Sequence, residues 1–149
     1  MILIENRICK IKINEKKIEA GIKKMLAFIN YSDFDIGILF TTNKSIRNYN
    51  RNFRKKDKAT DILSFPYHTE LAAGQRISIQ EPEDRNLGDL IVSLEFASKD
   101  AKLIDSSLDD YILMLVAHGI AHLIGYDHIT DSDHKKMSSF EKKLLKNSK

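Results

Sequence analysis

The sequence predicts an α+β domain with a mixed, mostly parallel sheet of about four strands packed with about five helices. Three observations predict it. Ile36, Ile38 and Phe40 fall on one side of a strand, and short apolar runs within 61–65 and 89–94 also read as strands. Apolar residues recur at helical spacing over 18–29 and 137–145. The two kinds of stretch are interleaved along the chain, with no internal repeat and no low-complexity tract.

Residues 1 to 13 are rich in isoleucine; Cys9, Ile11 and Ile13 alternate with Lys10 and Lys12 and predict a strand whose start the pattern leaves open, with Cys9 as a small core residue. Asn14 can cap the next helix, whose apolar face is Ile18, Ile22, Met25, Leu26 and Ile29. Phe34 to Thr41 reads as a second strand, with Ile36, Ile38 and Phe40 on one side. Thr42 can cap a short helix that carries Ile46, Tyr49 and Phe53 inward and Arg47, Asn50, Arg51 and Arg54 on its polar side. Asp61 to Phe65 is a short strand stopped by Pro66. With the Phe34 strand and the helix between, it predicts a parallel βαβ pairing. Tyr67 to Leu87 is polar and irregular, with Arg76 to Ile79 as a possible hairpin arm. Asp89 to Leu94 returns to strand pattern, and Glu95 to Ile104 reads as helix. Ser107 with Asp110 signals the start of a helix that is apolar nearly all round, from Ile112 to Val116. Such a helix belongs at the centre. A last helix starts near Asp131 to Asp133 and buries Met137, Phe140, Leu144 and Leu145. At least one further strand is expected to be antiparallel.

The 149 residues suit a single domain spanning 1–149. With 42% hydrophobic and 30% charged residues, the chain can bury a real core, which excludes a disordered or disulfide-stapled class. The one cysteine excludes an internal disulfide. The N-terminus acquires charge within five residues, and no apolar run approaches a bilayer span. A soluble, cytoplasmic protein with no membrane partner is therefore expected. Net charge is only +3, but Arg47, Arg51, Arg54, Lys55, Lys56 and Lys58 crowd into twelve residues. Charge alone favours a solvated face over a phosphate-binding patch there.

The segment His118-Gly-Ile-Ala-His122-Leu-Ile-Gly-Tyr-Asp-His128 carries the chemistry. His118 and His122 project from one helical face, one turn apart. Gly125 lets the helix stop and the chain reverse, so that His128 can return toward the first two. Three neutral imidazoles suit one Zn²⁺ ion per chain and leave its fourth position open, the ligand count of a catalytic site. Burying three histidines without partners would cost several kcal/mol, roughly, and a shared ion removes that cost. The spacing resembles the helix of zinc peptidases, but position 119 is glycine where those enzymes carry their glutamate base. Asp127 could be an acceptor behind a ligand imidazole or a turn residue. His68, beyond Pro66, could face the site, although a surface place is the first expectation, and His134, opening the last helix, is expected at the surface.

Three blocks together resemble the YbeY family of bacterial endoribonucleases. They are Asn50-Arg-Asn-Phe-Arg54 with Asp57 and Thr60-Asp-Ile-Leu-Ser-Phe-Pro66; Leu87-Gly-Asp-Leu-Ile91; and the histidine block, followed by Met137. Ala121 stands where the family usually has leucine, and Ala59 where it usually has proline. The resemblance implies a fold zincin-like in outline and zinc held by His118, His122 and His128. It implies that Arg54 is functionally important beside those histidines. It implies cleavage of single-stranded RNA, maturation of the 3′ end of small-subunit rRNA, ribosome quality control, and association with the small subunit and its assembly factors. A monomer is expected.

In that light the basic cluster gains a role: Arg54 would grip phosphate at the metal, while Arg47, Arg51, Lys55, Lys56 and Lys58 could track the flanking RNA backbone. Two other readings are a zinc hydrolase acting on a peptide or small molecule and a ribosome-binding factor with a structural metal.

Overall fold

The computed structural model describes residues 1–149. The elements in chain order are β1 (Ile2–Asn6), α1 (Glu15–Phe28), β2 (Asp35–Thr41), α2 (Asn43–Arg54), β3 (Ile62–Pro66), a 3-10 turn (Pro82–Asp84), β4 (Asn86–Ser93), α3 (Leu94–Leu103), α4 (Leu108–Leu123) and α5 (Asp131–Lys146). The strands form one sheet in the order β1-β2-β4-β3. β1, β2 and β4 are parallel, and β3 runs antiparallel to β4. The α+β class is as predicted.

The strand pairing is not. β2 and β3 are separated by β4, so the expected βαβ pair of those two strands does not form. β4 buries Leu87, Leu90, Ile91 and Val92, which cover both of its faces, and this demands a central place. β3 ends in Pro66, which lacks an N–H and belongs at an edge.

The first strand ends before the alternating stretch expected to belong to it. Arg7 N–H makes a last bond to the Phe40 carbonyl, and Asn6 Oδ1 then accepts the Ile8 N–H and turns the chain off the sheet. Ile8 takes the core position, and Cys9 is exposed rather than buried. Ile11 and Ile13 pack only against the margin of the core, which is why they alternate with lysine without forming a strand.

Side-chain caps start the helices where the sequence places them. Asn14, Thr42, Ser107 and Thr130 each accept a backbone N–H of the first turn. α1, α3 and α4 cover the sheet face that carries Ile36, Ile38, Phe40, Leu90 and Val92, and α5 packs on α4. α2 covers the other face through Ile46, which meets Leu63 and Ile91. Two α2 residues depart from expectation. Phe53 is 66% exposed, whereas Asn50 is buried and donates from Nδ2 to the Lys58 carbonyl at 2.9 Å. That bond fastens the segment between α2 and β3.

The long irregular segment forms no hairpin arm. Arg76 instead donates to the Ile29 and Asn30 carbonyls at 2.7 and 3.0 Å, just beyond α1, and its guanidinium lies 3.9 Å over the Tyr31 ring. Ile77 is buried, with its N–H on the Tyr31 hydroxyl. No helix is long and apolar enough to cross a membrane.

Candidate metal centre

α4 is the buried axis of the site. It passes so close over the sheet that a Cβ at position 119 would lie 2.6 Å from Leu90 Cδ2 and 3.1 Å from Ile62 Cδ1. Glycine at 119 therefore lets the helix lie this close, and a side chain there would have to displace the Leu90 and Ile62 methyls. This close approach sets the C-terminal end of α4 against edge strand β3. α4 ends at Leu123, and Gly125 reverses the chain with φ of 101°. A side chain at 125 would strike the Leu71 and Ala72 carbonyls.

His118, His122 and His128 converge. One nitrogen from each lies within 4.8 Å of the others. His118 Nε2 and His122 Nε2 are 3.2 Å apart. Their other nitrogens are committed. His122 Nδ1 faces the Tyr126 carbonyl at 3.1 Å, and His118 Nδ1 faces Glu141 Oε1 at 2.6 Å. Both oxygens accept, so each Nδ1 carries the proton. Each Nε2 then presents a lone pair, and the two lone pairs face one another. Such a pair repels unless a proton or a metal ion stands between. Two imidazoles on a tetrahedral zinc ion, with bonds of 2.0–2.1 Å, have nitrogens about 3.3 Å apart. The donor set therefore fits a divalent ion. Burial, and then the neighbouring His118 and His128, hold the His122 imidazole below its usual pKa, which keeps its lone pair free near neutral pH.

His118 and His122 are half-buried, and His128 is exposed. All three line a cleft of about 560 Å³ together with Arg54, Asp61, Ser64, His68, Tyr126 and Asp127. The structure thus brings Arg54 to the histidines, with its guanidinium in no ion pair. His68 lines the same cleft rather than the open surface, held by a bond between Nε2 and the Asp84 carbonyl at 2.8 Å. Asp127 Oδ1 accepts the His128 N–H at 2.8 Å and so orders the turn. His134 is exposed, as expected.

The other basic residues lie apart from the cleft. Arg47 donates twice to Asp57, at 2.8 and 3.1 Å, and Arg51 lies 3.8 Å from it. Both border a separate groove with Lys58. Lys55 and Lys56 are exposed after α2.

Glu141 is the candidate residue beside the histidines that the sequence reading missed. It lies 23 residues beyond His118 and reaches it only because α5 folds back on α4. A signal was present: Glu141 shares a helical face with Met137, Phe140 and Leu144, so a carboxylate points inward among core residues.

The fold and the histidine cluster define a class: an α+β enzyme domain with a candidate metal centre beside an edge strand. A sequence model of the family described as endoribonuclease YbeY matches residues 3–149. The endoribonuclease YbeY of Caldicellulosiruptor bescii is 37% identical over 97% of this chain and 94% of its own length. That of Prochlorococcus marinus is 43% identical over 76% of this chain, and the match spans 55% of that longer protein. The solution structure of a Thermotoga maritima protein superposes over 99% of this chain and 89% of its own, with a TM-score of 0.65 at 24% identity, a likeness of fold. The chain belongs to the YbeY family.

Proposed function

We propose that the cleft holding His118, His122 and His128 cleaves single-stranded RNA, with one Zn²⁺ ion held by the three imidazoles. Membership in the family makes the chain an endoribonuclease and RNA its substrate. The observation that carries the location is the facing pair of Nε2 lone pairs 3.2 Å apart in a cleft that also contains Arg54. When bound, the ion supplies Lewis acidity toward a phosphate oxygen or water. The chain's own residues do the rest. Glu141 and the Tyr126 carbonyl hold the imidazoles in the tautomer that ligates. Arg54 grips the scissile phosphate and stabilises the charge that grows on its oxygens as the P–O bond breaks. Lys55, Lys56 and Lys58, with Arg47 and Arg51, steer the flanking backbone.

By family resemblance, the substrate is the 3′ end of small-subunit rRNA, the protein works in the cytoplasm with the small subunit and its assembly factors, and residues 1–149 act as one domain. Glycine at 119, where zinc peptidases carry their glutamate base, disfavours a peptidase.

The test is RNA cleavage by highly purified protein and two variants. His122→Ala loses metal and activity together. Arg54→Ala keeps stoichiometric metal and loses about 10²–10³ in rate. An Arg54 variant of normal rate would remove that residue from the mechanism, and a fully active His122 variant would relocate the chemistry.

A further inference from the structure

An endonuclease substrate continues on both sides of the bond that is cut. The α2 side of the cleft offers Arg54. Beyond Tyr126 lies a second groove of about 520 Å³, bordered by α5 and Ala73. Tyr126 lines both the histidine cleft and this groove, so the two adjoin at that residue. Its ring stacks on Phe140 at 4.4 Å and 12°, which makes a firm shared wall.

The rest of the groove lining is cationic. Lys135, Lys136 and Lys143 face it with Ser139, and no carboxylate does. All three lysines are exposed and none forms an ion pair, in contrast to Arg47, which Asp57 holds with two bonds. Lys135, Ser139 and Lys143 follow at i, i+4 and i+8, one row of a helix about 12 Å long. A row of free ammonium groups, a hydroxyl and no acid suits successive phosphates of an extended strand. An acidic protein would meet little apolar area there beyond the aromatic wall.

Building on the nuclease reading, we propose that the α5 groove binds the phosphate backbone of the RNA strand as it leaves the histidine cleft, through Lys135, Lys136 and Lys143.

The test is a full-length, metal-loaded variant in which all three lysines become glutamine, changes that remove the charge and nearly keep helix propensity. Binding of a labelled single-stranded oligodeoxynucleotide of about 20 nucleotides, longer than the site, is measured by anisotropy against salt. Each lost phosphate contact lowers the log–log salt slope by about 0.7, so the variant should lose about 2 in slope. A triple lysine-to-arginine variant should restore it. On long RNA the variant should show a raised KM, while kcat on a trinucleotide, too short to reach α5, stays unchanged. A slope within about 0.5 of wild type would overturn the proposal and leave the groove to another partner, such as an acidic protein. The two readings fail separately. Wild-type protein that cleaves RNA with no change of slope in the variant sinks only the groove. Protein that shows the slope change yet never cleaves RNA sinks only the nuclease.

Discussion

Replacing Glu141 with glutamine should weaken metal binding about tenfold without unfolding the protein. Glutamine retains an oxygen that can accept the His118 Nδ1–H, so the ligating tautomer survives. What disappears is the negative charge 2.6 Å from the ring. A hydrogen bond to a charged group contributes roughly 1.5–3 kcal/mol. The two side chains are 33% and 27% exposed, so water screens part of that and the lower end applies. About 1.5 kcal/mol corresponds to roughly tenfold in Kd. Glu141→Leu goes further, because it also strands the Nδ1–H, and should approach the hundredfold limit of such supporting contacts, roughly. Competition against a chromophoric chelator near neutral pH measures both. A glutamine variant whose Kd stays within about twofold of wild type would refute the claim that the carboxylate charge supports the ligand.

Gly119→Ala should destabilise the fold by up to about 2 kcal/mol, because crowding Leu90 and Ile62 costs about 1–3 and the gain in helix propensity returns about 1; urea unfolding of the metal-free protein measures it, and a more stable variant would contradict the close approach. Chelated protein should lose stability as pH falls below 6.5. The folded state holds His122 below that value, so between the depressed value and 6.5 the unfolded chain binds the extra proton. Melting curves of the wild type and His122→Leu across this window check it, and identical acid limbs would count against it.

Much of the site was legible because its geometry is local. The offsets of His118 and His122 encode one helical face, and Gly125 encodes the reversal that returns His128. Caps at Asn14, Thr42 and Ser107 were equally local. Strand order was not, because pairing depends on which strand must bury two faces, and nothing near β3 announces that β4 will take the central place. Pro66 was the available clue to an edge. Glu141 and His68 reach the site only through α5 docking and a loop pinned on Tyr31, contacts between residues far apart in sequence. The alternation of Cys9 to Ile13 misled because half-buried coil beside a core can copy a strand's period.

The charges around the histidines predict a second duty for the ion. With neutral imidazoles, the charged groups at the cleft are Arg54, Asp61 and Asp127 in its lining, and Glu141 behind His118. One guanidinium against three carboxylates leaves two negative charges, a field that repels phosphate. A divalent cation cancels them and places its positive charge at the open side of the cluster. Phosphate binding should therefore depend on metal even where no bond is broken. At an effective dielectric near 20, two unit charges about 5 Å apart interact by roughly 3 kcal/mol, so partial screening still leaves tenfold or more in affinity. Isothermal titration with a nucleoside monophosphate, too small to reach the α5 lysines, isolates this effect. Chelated protein should bind it at least about tenfold more weakly than metal-loaded protein. Equal affinity in the two states would mean that the phosphate rests on Arg54 alone, and that the carboxylates are too well screened to matter.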